Sequence, residues 1–360
     1  MTAGAMTRRE ALGTGAGLVA AFAAAPLVRA SAKSGRGPVV MGAGEHTYEV
    51  EHDWATLPPT HAFGNTHGVA VDSQGMVYIK HTVHASSSSG DAVCVFDPAG
   101  KFVRSWGAEF RGGAHGLTPS KEGGGEFLWL SDCNRAVVRK TTLEGETVLD
   151  LKWPEESGLY GGAGEYKPTN VAVVPRDAKD AAGRPHAMCG YVFVADGYGK
   201  SWIHVFDPEG NYVRSFGGPG NQRGQTSCPH GIAIDSRGGG EPRLVVADRS
   251  NRRLQYFTLD GRHAGFVTDE LRSPCHFDTH GELLLVPDLE ARVTLLDKDN
   301  KLVVHLGDGE NFGLRDKPRE QFVAGKFIAP HSACFDNEGN IFVVEWVEVG
   351  RVTKLRRVGA

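Results

Sequence analysis

The chain has 360 residues, a formal net charge of -4 and 48 glycines. So mild a charge excludes a sequence-independent electrostatic grip on nucleic acid, while the length allows a substantial core. Abundant glycine with few helical periodicities points to many short strands joined by tight turns.

Residues 1–32 read as an address rather than as structure. Thr7-Arg8-Arg9-Glu10-Ala11-Leu12 is a twin-arginine pattern, an Ala/Gly-rich apolar stretch runs to Val28, and Ala30-Ser31-Ala32 is a small-residue cleavage site. This predicts a bacterial protein sent to the periplasm or secreted by the twin-arginine route, with no membrane contact once the signal is removed. An uncleaved anchor is the other reading, since the stretch is barely long enough to span a bilayer. The route carries chains that have already folded, often with a cofactor bound. Folding in a reducing compartment argues against disulfides among the six cysteines. Contexts such as Val93-Cys94-Val95-Phe96 predict buried small hydrophobes instead.

Residues 33–45 are Gly-rich and read as a flexible lead. The alternating His46-Thr47-Tyr48-Glu49-Val50-Glu51 predicts a strand that pairs with the last unit of a ring, removing its open edge. From there to residue 360 one pattern returns. It stands as His67-Gly68-Val69-Ala70-Val71-Asp72, His115-Gly116-Leu117 and His230-Gly231-Ile232-Ala233-Ile234-Asp235. Weaker copies are Asn170-Val171-Ala172-Val173, His276-Phe277-Asp278 and His331-Ser332-Ala333-Cys334-Phe335-Asp336. Neighbouring copies lie roughly 46 to 60 residues apart, a period that signals a propeller, solenoid or array.

The first unit shows the plan. Two apolar runs between Val69 and Ile79 flank Ser73-Gln74-Gly75, then Ala92–Phe96 and, after Asp97-Pro98-Ala99-Gly100, Lys101–Trp106. Strand, turn, strand, loop, strand, turn, strand is one four-stranded antiparallel blade. The third unit repeats it with Tyr191–Ala195, Trp202–Phe206 and Asp207-Pro208-Glu209-Gly210, and the segment from Arg176 to Pro185 inserts within a hairpin. Six units predict an all-β, six-bladed propeller.

In a propeller the innermost strands line the axis, so a residue at one place in the unit points at one ring. His115, His230 and His331 are the candidate metal ligands, with His67 and His276 as additional ligands or substrate contacts. Neutral imidazole suits zinc, copper, nickel or iron, and three protein ligands with an open position are the pattern of a catalytic zinc. Cys228, Cys275 and Cys334 lie near these histidines, but strand alternation sends neighbours to different faces, and packing is the better reading. Asp196-Gly197-Tyr198 and Asp248-Arg249-Ser250 leave second strands at matching places. Tyr198 there could move a proton if a cation or metal lowered its pKa, and Arg249 could fork onto a carboxylate. Spacing alone favours turn bonds for Asp196 and Asp248, with Tyr198 and Arg249 packing on the rim.

Pro168-Thr169-Asn170-Val171-Ala172-Val173, Phe193-Val194-Ala195-Asp196-Gly197-Tyr198, Cys228-Pro229-His230-Gly231-Ile232 and Val246-Ala247-Asp248-Arg249-Ser250-Asn251-Arg252-Arg253-Leu254-Gln255 follow in order. Together they resemble the NHL-repeat propeller of the peptidyl-α-hydroxyglycine α-amidating lyases. The resemblance implies zinc on His115, His230 and His331, Tyr198 as the base that takes the substrate hydroxyl proton, and Arg249 as the group that binds or polarises the substrate. It implies cleavage of the carbon-nitrogen bond of a carbinolamide. Three positions depart from the family. Lys80-His81-Thr82-Val83-His84 stands where the first blade of the family carries an arginine. Ser332 replaces an aspartate that helps to hold a structural calcium, so calcium is not expected. Gly199 replaces a cysteine. No copper monooxygenase domain is read in the chain.

The expectation is therefore a zinc-dependent lyase, a monomer acting on a small-molecule or peptide-derived substrate. A non-catalytic NHL propeller that binds a partner is the second reading. A propeller hydrolase of the lactonase kind is the third; its carboxylate- and amide-lined calcium site contrasts with a histidine ring.

Overall fold

A computed structural model describes residues 39–359. The twin-arginine pattern, the apolar stretch after it and the cleavage site lie outside the described residues. Among the described residues, six antiparallel sheets follow one another along the chain, with almost no helix. From the inner strand outwards, blade 1 is Thr66–Val71, Val77–His81, Val93–Phe96 and Phe102–Trp106. Blades 2 to 5 open with Ala114–Glu122, Asn170–Val173, Pro229–Asp235 and Asp278–His280. Blade 6 is Pro330–Phe335, Ile341–Glu345 and Arg351–Arg357, continued by His46–His52 and then Val40–Ala43. The fold is the six-bladed propeller that the repeats predict.

Local chemistry sets the turns. Asp97 Oδ1 accepts from the amides of Ala99 (3.0 Å) and Lys101 (2.9 Å), and Asp207 and Asp297 do the same in blades 3 and 5. A carboxylate that satisfies its own turn is the reason aspartate opens these hairpins. Gly100 and Gly210 close two of them at φ 84° and 89°, left-handed backbone that favours glycine.

A second device recurs where the second strands of blades 3 to 6 end. Asp196 accepts from the amides of Lys167 (2.7 Å) and Lys200 (2.6 Å), Asp248 from Ser227 (2.7 Å), Asp288 from Arg272 (2.7 Å) and Glu345 from Ile328 (2.6 Å). Each carboxylate ties down the loop that leads into its own inner strand. In blade 1 His81 takes this place, its Nδ1 accepting from the amides of Val83 and Gly64.

The cores lie between blades. Tyr78, Val93 and Val95 of blade 1 pack with Leu117, Leu128 and Leu130 of blade 2, and Phe193 and Ile203 of blade 3 with Ile232, Leu244 and Phe257 of blade 4. No blade covers its own faces, so the ring is the unit of burial. It closes where His46–His52 pairs antiparallel with Arg351–Arg357, Val50 opposite Leu355, the pairing expected from the alternation. Tyr48 of that strand is 1% exposed and packs with Leu295, Val343 and Leu355. The lead differs from expectation. Val40–Ala43 folds back on His46–Glu49 as the outermost strand of blade 6, so this part of residues 33–45 is ordered by the ladder it joins. No described helix is long and apolar enough to cross a membrane.

Candidate metal centre

His115, His230 and His331 stand in the inner strands of blades 2, 4 and 6. Each Nδ1 donates to a backbone carbonyl of the next blade: Thr169 O at 2.7 Å, Cys275 O at 2.8 Å and His67 O at 2.9 Å. Even blades thus supply rings and odd blades supply the carbonyls that hold them. The glycine after two of the histidines permits this. A Cβ on Gly116 would stand 2.5 Å from Thr169 O, and one on Gly231 2.4 Å from Cys275 O. Only without a side chain there can the neighbouring carbonyl come close enough to reach the imidazole.

These bonds fix the tautomer. A carbonyl oxygen only accepts, so each Nδ1 carries the proton and each Nε2 keeps its lone pair. The three rings meet edge to face around the axis, with centroids 4.7 Å apart for His115–His230, 4.9 Å for His115–His331 and 4.8 Å for His230–His331. All three are buried. Burial first, then neighbouring imidazoles and Arg249, holds them well below the usual imidazole range, so they are neutral. His67 adds a fourth ring, its centroid 4.9 Å from that of His115 and 4.5 Å from that of His331. His67, His115 and His331 can offer one nitrogen each with all three atoms within 4.8 Å of one another. One hydroxyl proton cannot satisfy several converging lone pairs at once, and a divalent cation can. Neutral, oriented imidazole is the donor that zinc, copper, nickel or iron takes. The residues fit a metal ion.

Tyr198 closes one side. Its hydroxyl lies 3.2 Å from His115 Nε2 and 3.0 Å from His230 Nε2. Nη1 of Arg249, from the helical turn Arg249–Asn251, lies 3.4 Å from the same oxygen, and the guanidinium carbon 5.3 Å from the ring centroid. Nη2 of Arg249 reaches Cys228 Sγ at 3.2 Å. Tyr198 is 40% exposed, so its ring stands at the mouth while its hydroxyl points at the histidines. The mouth is a recess of about 360 Å³ lined by His67, His115, Tyr198, Thr82, Asn134 and Lys167, among others. Burial pushes the Tyr198 phenol up, and Arg249 opposes this only in part. The lowered phenol pKa considered from the sequence therefore does not arise from the protein's own cation.

The structure thus gathers His67, His115, His230, His331, Tyr198 and Arg249. His276 does not join them. The residue matching Thr169 and His67 in blade 5 is Cys275, whose carbonyl holds His230, so His276 falls one step further along. It lines a chamber of about 450 Å³ with Asp278 and His280. All six cysteines are free, and Cys94, Cys275 and Cys334 are buried. Ser332, in the place of a calcium-holding aspartate, keeps a buried hydroxyl without a partner. Lys80, where an arginine was sought, is buried away from the recess and donates to Gly116 O (3.2 Å) and Ser131 O (2.6 Å). Sequence reasoning missed Asn134 and Lys167 because they sit in loops outside the repeat. It also missed the roles of Thr169 and Cys275, which act through backbone oxygens that every residue has.

A six-bladed propeller whose axis is plugged by imidazoles, with a tyrosine and an arginine over them, is the class that fold and site define. No family model matches the chain. Among known proteins it is similar to peptidylglycine alpha-amidating monooxygenase of Rattus norvegicus, 28% identical over 249 residues that cover 60% of this chain and 23% of the rat protein. NHL repeat-containing protein 3 of Homo sapiens is 25% identical over 67% of each chain. The Caenorhabditis elegans protein named "Probable peptidyl-alpha-hydroxyglycine alpha-amidating lyase" is 26% identical over 56% of this chain and 57% of its own. The matched stretch spans less than a quarter of the amidating monooxygenases. Among solved structures, virginiamycin B lyase from Staphylococcus aureus covers 86% of this chain and 100% of its own at a TM-score of 0.54 and 13% identity, a likeness of fold. The chain is a six-bladed propeller similar to NHL repeat-containing proteins and to the amidating enzymes.

Proposed function

We propose that this protein is a metal-dependent carbon-nitrogen lyase acting on an N-acyl-α-hydroxyglycine or a related carbinolamide, with zinc as the metal. The observation that carries this is one oxygen: the Tyr198 hydroxyl touches Nε2 of two ring histidines and Nη1 of Arg249. His115, His230 and His331 would hold the ion, which supplies a Lewis acid beside the reacting hydroxyl. Tyr198 is placed to take the hydroxyl proton as the carbon-nitrogen bond breaks. The nitrogen leaves as a primary amide after gaining a proton, and the carbon leaves as glyoxylate. Arg249 holds the substrate carboxylate against the recess. The named activity of the nematode relative supports the reaction class.

α-Hydroxyhippurate is the test substrate. The metal-loaded protein is expected to release benzamide and glyoxylate, and Tyr198→Phe to lose at least a hundredfold in kcat, in the range of general acid-base contributions, while keeping its metal. Turnover no faster than that of Tyr198→Phe overturns the reaction. The resemblance to human NHL repeat-containing protein 3 favours a second reading, a binding propeller with a structural metal. Under it, chelation changes stability or partner binding and no turnover exists to lose. We further propose export by the twin-arginine route, signal removal and a monomeric mature protein.

A further inference from the structure

We propose that His67 is a fourth metal ligand, binding through Nδ1 beside the three histidines of the even blades, so that four imidazoles hold the ion at rest and substrate would enter by the expansion to five ligands that catalytic zinc allows. This rests on the reading of the ring as a metal site. The argument begins at His331. Its Nδ1 proton goes to His67 O at 2.9 Å, which leaves Nε2 as a bare lone pair. The group facing that lone pair is Nδ1 of His67, 3.3 Å away. Two neutral nitrogens meet there in one of two ways: one carries a proton, or both point at one cation.

Their separation admits a hydrogen bond and is equally the spacing of two ligands on one ion. Ligands at the usual zinc-nitrogen distance of about 2.0–2.1 Å, placed tetrahedrally, stand about 3.3–3.4 Å apart. The position of His67 is also singular. In blades 3 and 5 the residues whose carbonyls hold a ring histidine are Thr169 and Cys275. In blade 1 the equivalent residue supplies both the carbonyl and an imidazole. That imidazole is 8% exposed, borders the recess and packs on His115 and His331. Its Nδ1 has no backbone carbonyl to bind, unlike the Nδ1 of the other three. A ring held by one carbonyl less is free to turn its Nδ1 from partner to ligand. Such a nitrogen-only set takes a first-row divalent cation, and it disfavours magnesium and calcium, which want oxygen.

The test uses the full folded chain, stripped with a chelator and titrated with zinc against a chromophoric competitor, and with cobalt(II) and copper(II) for their spectra. His67→Ala is expected to weaken zinc at least tenfold, to change the cobalt visible bands and to remove one nitrogen from the copper hyperfine pattern. His67→Gln separates ligation from positioning, because its amide can still donate to His331 Nε2. It is expected to melt like the parent without metal and to bind zinc as weakly as His67→Ala. Retention of the parent's affinity and spectra by either variant overturns the proposal and leaves His67 as a hydrogen-bonding neighbour. His230→Ala and His115→Ala are the controls. If they too bind like the parent, the ring reading itself fails, and this inference with it.

Discussion

At the scale of single residues, the site depends on groups that cannot be exchanged for their chemical cousins. Tyr198 is one, through the single oxygen it sets among two imidazoles and a guanidinium. Lys80, buried away from the recess, serves the fold instead, and it makes a prediction about pH. Burial lowers its amine to about 7, with Asp132 opposing. Below about 7 the amine is charged in both folded and unfolded chains, and the fold carries the full cost of the buried charge. Above about 7 the folded chain gives up its proton before the unfolded chain does. Stability is therefore expected to rise with pH from about 7 towards the ordinary lysine value, by on the order of a few kcal/mol. Urea unfolding at pH 6.5 and 9 should show this rise in the parent and a flatter profile in Lys80→Met; equal slopes would refute it. The role of Lys80 was not legible in the sequence. Nothing in the letters says that this lysine is buried, and only the neighbouring blade reveals the two carbonyls that receive it. Histidine repetition was legible because a period survives in one dimension. Which nitrogen each ring turns inward was not, since backbone oxygens leave no mark in the letters.

At the scale of the element, the His-Gly pair is a contact rule between strands. Glycine follows His115 and His230 because the next blade's carbonyl lies where a Cβ would go. Gly231→Ala forces the strands of blades 4 and 5 apart against backbone, which cannot swing away. It is expected to cost about 1–3 kcal/mol and to weaken metal binding, because Cys275 O then no longer holds His230 at 2.8 Å. Calorimetry with and without zinc checks both effects, and an unchanged zinc-dependent rise in melting temperature would refute the coupling. Hairpins with Asp-Pro-x-Gly turns were readable from their residues alone, as Asp97–Gly100 and Asp207–Gly210 show. Val40–Ala43 was not, because its pairing partner, not its composition, makes it a strand. His276 misled for a related reason. The repeat in blade 5 is displaced by one residue, and one residue in a strand is enough to send a side chain elsewhere.

At the scale of the whole molecule, neighbouring blades share six cores, and one strand pairing closes the ring between residues far apart in sequence. Tyr48→Ala, in the strand that completes blade 6, is expected to cost about 3–5 kcal/mol and to lower the melting temperature of the entire ring as a single transition. A separate early transition confined to blade 6 would show instead that the blades melt independently. The strand from His46 was legible by its alternation, and its destination followed from the problem of an open edge.

The blade that seals the circle is also the blade that carries His331. The last histidine of the centre therefore reaches its place only when the two extremities of the propeller have met. A chain still being made has His67, His115 and His230 in hand but no finished socket. On the proposed metal reading, ion capture would follow the closing of blade 6, and a polypeptide clipped before His331 should leave the cation in solution.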